Sequence, residues 1–104
     1  MAIIGNPFVA NSTKQMNQEE IIQALRVDIA GELEAIIGYE AHAMSINDER
    51  VKKVLTHIAN EEKEHVGELQ QLLYVLNPKE AEYMEKGKQS VQQQQAQNFQ
   101  QPMQ

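Results

Sequence analysis

The chain has 104 residues, a formal net charge of −6, no cysteine and no tryptophan. That length suits one small domain. The missing thiols exclude disulfides, iron–sulfur clusters and a rubredoxin-type iron site in this chain, and the acidic balance speaks against nucleic acid as a partner.

Residues 1–16 read as a flexible N-terminal arm. Met1 to Ala10 is mildly apolar, but it lacks a basic leading region and is broken by Gly5 and Pro7, so it does not read as a signal peptide. Asn17, with Glu20 three residues on, predicts an N-cap and capping box. The first helix is expected over about 18–46. Gly31 and Gly38 weaken it by about 1 kcal/mol each relative to alanine, and they permit close approach of a neighbouring backbone. Asn47-Asp48 predicts the turn, Asp48 caps the next helix, and that helix is expected over about 48–76. Asn77-Pro78 predicts a third, short helix that ends at Gly87. Residues 88–104 are Gln-rich, with an unbroken run from Gln92 to Gln95, and have little to bury. They predict a disordered tail after a helical domain at 17–87. No apolar run reaches the roughly 20 residues needed to cross a bilayer, and a cytoplasmic location is expected.

The two long helices each carry an apolar seam. In the first it runs Ile22, Leu25, Ile29, Glu32, Ile36, Tyr39, Ala43, Ile46; in the second, Val51, Leu55, Ile58, Glu62, His65, Leu69, Leu72, Leu76. Both alternate steps of three and four, as a heptad core line does. The charged or titratable interruptions fall near the middle of each: Glu32 in the first, Glu62 and His65 in the second. Glu62 and His65, three apart, share one face of a helix. Glu-x-x-His at this spacing is the ligand motif of carboxylate-bridged di-iron and di-manganese bundles. Glu32 lies about as far before the turn as the Glu62–His65 pair lies after it. In an antiparallel hairpin that puts all three at one height, about 23 Å from the turn. Buried unpaired carboxylates cost several kcal/mol, and a metal cation offsets that cost. The alternative reading is a polar layer that only fixes helix register.

Tyr39 lies in the seam about 10 Å along the axis from Glu32, and reads either as a core tyrosine or as a metal-proximal residue. Glu61 and Glu64 are off the seam and read as solvated charge. His42 and His57 are also off it, with no ligand-type partner on the same face, and read as surface histidines. One hairpin leaves about half of each apolar stripe uncovered. Pairing two hairpins gives a four-helix bundle with four glutamates and two histidines, the ligand set of the carboxylate di-metal bundles. Oxygen and imidazole ligands suit iron or manganese better than structural zinc.

In Glu32-Leu-Glu-Ala-Ile-Ile-Gly-Tyr39 and Ile58-Ala-Asn-Glu-Glu-Lys-Glu-His65 the chain resembles the encapsulated ferritins, a short two-helix branch of the ferritin-like proteins. The resemblance spans about residues 20–86. It implies an all-α, ferritin-like hairpin with a short C-terminal helix, paired as a four-helix bundle. It further implies a di-iron ferroxidase centre between two chains, with Glu32, Glu62 and His65 as ligands and Tyr39 beside the metals. A ring-shaped decamer of five dimers, and storage of iron mineral inside an encapsulin shell, follow from it as well. The chain departs from the family pattern at Gly31, often acidic there, leaving Glu34 as a secondary metal ligand. It departs again at Gly38, often Trp, and in the tail Asn98 to Gln104, which does not match the usual shell-docking peptide. The expected activity is oxidation of Fe(II) to Fe(III) for storage or detoxification. Two other readings stay open: a rubrerythrin-like di-iron peroxidase without storage, and a non-catalytic helical oligomerisation module.

Overall fold

A computed structural model describes the backbone of residues 15–99 and the side chains of residues 15–97. The first fourteen residues of the expected arm and the last five of the expected tail lie outside the described residues. Three α-helices follow one another: α1 over Gln18–Ser45, α2 over Glu49–Leu76 and α3 over Pro78–Phe99.

Local chemistry fixes each boundary. Asn17 is extended, and its Oδ1 accepts from the Glu20 amide at 2.9 Å while Glu20 Oε1 accepts from the Asn17 amide at 3.2 Å. This reciprocal box satisfies two of the four amides that a helix start leaves without partners. α1 ends at Ser45 because Ile46 turns extended. Asp48 then caps α2 by accepting from the Arg50 amide at 2.9 Å. The Arg50 guanidinium closes on the same carboxylate at 2.9 Å. α2 stops at Leu76, where Asn77 leaves helical geometry and donates its amide to Leu73 O at 2.8 Å. Pro78 follows at a position where its missing N–H costs nothing.

α1 and α2 form an antiparallel hairpin. Gln18 Nε2 at the start of α1 donates to Leu76 O at the end of α2, at 3.1 Å. The interior of the pair is thin: Ala43, Ala59 and Leu73 are its buried apolar residues. On α2 the inner line runs Leu55, Ala59, Glu62, Val66, Leu69, Leu73, Leu76, all buried or half-buried. That line lies beside the predicted seam, whose Val51 and Leu72 are 41% and 53% exposed. The reason is geometric. A straight helix turns once per 3.6 residues, so a 3.5-residue line drifts about 20° per heptad. One partner helix also covers only one side of a broad apolar stripe. The other side, Val51, Val54, Leu72 and Val75, is left exposed. On α1, Leu33, Ile37 and Met44 are likewise exposed.

One expectation is corrected. Gly87 does not end α3; the helix continues to Phe99, through the stretch expected to be disordered. Gly87 keeps a φ outside the left-handed region, and from there to Phe99 the chain has neither proline nor another glycine to stop propagation. At Gly38 a Cβ would meet nothing within 4 Å inside this chain.

α3 packs on α2 but not on α1. Its tie to α1 is the Glu80 carboxylate, which receives the Arg26 guanidinium through Nε and Nη2 and the Asn77 amide nitrogen Nδ2 at 3.2 Å. Hydrogen bonding to Glu80 holds Arg26 above its ordinary pKa. Every described side chain from Glu82 onward is exposed.

Candidate metal centre

Midway along the hairpin, Glu32 on α1 meets Glu62 and His65 on α2. One potential ligand atom from each lies within 4.8 Å of the others. His65 Nδ1 is 3.4 Å from Glu62 Oε2 and 3.6 Å from Glu32 Oε2. The first contact is at the long limit of a hydrogen bond and the second lies outside it. Glu32 Oε2 is buried and accepts no hydrogen bond. The two carboxylate side chains are mostly covered, 27% exposed for Glu32 and 19% for Glu62, and His65 opens outward at 49%.

These groups are near one another without satisfying one another. A buried carboxylate oxygen with no donor costs about 1–3 kcal/mol. Among the described residues no lysine or arginine forms an ion pair with either glutamate: Lys63 is engaged by Glu40 at 2.7 Å and Arg26 by Glu80. The donor set fits a hard or borderline cation. Oxygen and nitrogen ligands at about 2.0–2.2 Å from a metal stand about 3 Å apart when adjacent and about 4 Å apart when opposite, and the observed spread needs only small adjustments to reach this.

The rest of the predicted site is placed as follows. Tyr39 is half-buried on the inner face of α1, two turns from Glu32 and therefore at one remove from the three ligand-type groups. Glu34 is exposed and 200° around the helix from Glu32; it stands outside the cluster. His57 does find a partner at helical spacing, contrary to the sequence reading: Glu61 Oε1 lies 2.9 Å from its Nε2, in an exposed pair. The Lys63–Glu40 bridge also escaped the sequence reading, because neither residue lies in a seam. Charged residues flanking two facing helices were the available signal.

A hairpin of long helices, its apolar interior interrupted at mid-height by two carboxylates and an imidazole, defines a ferritin-like protein. The family model described as "Ubiquinone biosynthesis protein COQ7" matches residues 15–97. The crystal structure of the encapsulated ferritin domain from Pyrococcus furiosus superposes with a TM-score of 0.76 at 40% identity, covering 85% of this chain and 90% of that one. The chain belongs to this ferritin-like family and, within it, to the encapsulated ferritins. Among curated relatives it is 42% identical over 82 residues to the ferritin-like–encapsulin shell fusion protein of Pyrococcus furiosus. It is 34% identical over 76 residues to the encapsulin nanocompartment cargo protein EncC of Myxococcus xanthus. The matches cover 79% and 73% of this chain but span only 24% and 58% of those two relatives.

Proposed function

We propose that the chain is a ferroxidase: paired with a second copy, it oxidises Fe(II) to Fe(III) at a di-iron centre. The observation that carries this reading is the convergence of Glu32, Glu62 and His65 around an orphaned, buried carboxylate oxygen. One chain supplies half of the ligand set used by carboxylate di-metal bundles. His65 is exposed and shares its face of α2 with the exposed Leu72, two turns on. A second hairpin laid on that flank would cover the apolar stripe and bring its own three groups to the same level. Exposed Leu33, Ile37 and Met44 on α1 offer further surface for a larger ring such as a decamer.

Iron is the substrate, and each Fe(II) yields one electron to dioxygen or peroxide. The roles of this chain's residues follow from their chemistry. Glu32 and Glu62, short of donors, attract and hold the cation. His65 offers the neutral nitrogen Nδ1, and binding therefore competes with its protonation. Tyr39, two turns away, is assigned an exchange of an electron or proton with the centre rather than a bond to the metal. Glu34 is assigned only a secondary metal contact at the surface.

The relatives that are named as encapsulin cargo or shell fusions favour a role inside an encapsulin nanocompartment of the cytoplasm. No described helix is long and apolar enough to cross a membrane, and a chain of this size needs a shell to retain mineral. The test is stopped-flow Fe(II) oxidation with stoichiometric metal analysis. The expected result is about one iron per chain and loss of rapid oxidation in Glu62→Ala and His65→Ala, with helix content retained. Undiminished oxidation in both variants would overturn the assignment. Turnover only with peroxide would favour the rubrerythrin-like reading, and no iron uptake at all would favour a structural polar layer.

A further inference from the structure

Lys63 and His65 leave the same turn of α2 on opposite sides, 200° apart around its axis. Each reaches across to α1. His65 approaches Glu32 at 3.6 Å, and Lys63 Nζ bonds Glu40 Oε2 at 2.7 Å. The Lys63 ammonium is pinned a second time, from its own helix, by Asn60 Oδ1 at 3.2 Å.

We infer that the Lys63–Glu40 pair is a brace for the metal-binding turn, and that both residues are positioning residues for Glu62 and His65. The inference rests on the metal-site reading above. The interior at this level is thin, because α2 presents Ala59 and Glu62 rather than large apolar side chains, so packing alone resists rolling of α2 poorly. A roll of about 15° swings a side-chain tip at about 6–7 Å radius through roughly 1.5–2 Å. Metal sites tolerate ligand displacements of only about 0.2 Å. A roll in one direction stretches the 2.7 Å Lys63–Glu40 contact and a roll in the other compresses it, so the pair fixes the angle at which His65 faces Glu32. Its stability contribution need not be large, since an exposed pair is worth little to folding; what it sets is the rotational rest position of one turn.

The test is Co(II) binding to the full chain, read by titration and by the visible absorption of bound Co(II). Lys63→Gln and Glu40→Gln are each expected to weaken binding about three- to tenfold and to alter the Co(II) bands. The double variant is expected to be no worse than the singles, and the exchange Lys63→Glu/Glu40→Lys to recover most of the loss. Glu49→Gln, an equal loss of charge at an exposed position near the start of α2, should bind as the unmodified chain does. The sign in Lys63→Gln is decisive. If the lysine acted only through its charge, removing it would tighten cation binding, whereas losing a brace weakens it. Binding in Lys63→Gln that is tighter, or within twofold of the unmodified chain, overturns the brace and leaves the metal site standing. If the unmodified chain takes up no Co(II), or Glu62→Ala binds it equally well, the metal-site reading fails and the brace fails with it.

Discussion

Glu32 Oε2 sits 3.6 Å from His65 Nδ1, is buried, and accepts no hydrogen bond. The two residues lie thirty-three positions apart in the sequence, yet are held at one level of the hairpin. That arrangement is unfavourable for a metal-free protein and useful for one that binds metal. Glu32→Leu should therefore stabilise the metal-free chain by about 1 kcal/mol, since an apolar replacement removes an unsatisfied buried group, and should abolish rapid iron oxidation. Urea unfolding in the presence of a chelator measures the first effect and stopped-flow absorbance the second. Destabilisation by Glu32→Leu would show that the carboxylate is satisfied in solution.

Metal should raise thermal stability. A ligand that binds only the folded state stabilises by about 2.7 kcal/mol at one hundred times its Kd. The melting temperature should rise with added Co(II) or Mn(II), and His65→Ala should cancel the rise. In the proposed paired site the second half of the ligand set comes from another copy, so the same metals should shift sedimentation toward the dimer. An active monomer would exclude the shared site.

Acid should loosen the turn between α1 and α2. Hydrogen bonds from Arg50, first from its side chain and then from its backbone, hold Asp48 below its ordinary carboxylate pKa. A carboxylate depressed in the fold contributes stability that is fully present above the unfolded value of 3.8. That contribution is lost as pH falls through the lower folded value. Protection of the Arg50 amide from hydrogen exchange should decline below about pH 4, and Asp48→Asn should remove this pH dependence.

Gly67 lies in α2, where an added Cβ meets nothing within 4 Å. Gly67→Ala should stabilise the helix by about 0.5–1 kcal/mol. The same substitution at Gly87 should stiffen α3 without affecting iron oxidation. Circular dichroism melts check both.

Much of this was legible in the residues. Asn17 with Glu20, Asp48, and Asn77 with Pro78 each mark a helix boundary through side-chain chemistry that acts locally, and the structure places the boundaries of α1 and α2 within a residue of those signals. Glu32, Glu62 and His65 were legible because a charged or titratable group in an apolar line is conspicuous. What was not legible depends on the partner surface. Ala59 and Leu73 lie inside and Val51 and Leu72 outside because α1 covers one edge of the stripe, and a one-dimensional pattern does not say which edge. The length of α3 was missed because a Gln-rich stretch with nothing to bury was read as disorder. Glutamine is a good helix former, and only proline or a positive-φ glycine would have stopped it.

Asn77 joins α2 to α3 alone, closing one helix and opening the next. Beyond the Glu80–Arg26 contact every described side chain of α3 from Glu82 onward is exposed. At 1.5 Å per residue its 22 residues make a boom about 33 Å long. A tilt of about 10° at that joint carries the far end through about 6 Å. Within one chain the same backbone thus works in two mechanical regimes. Around Glu62 a displacement of a fraction of an ångström matters, while at Phe99 several ångströms come from a small change at Asn77. The C-terminal end of α3 can thus take a range of positions and angles while the turn that carries Glu62 and His65 keeps its setting.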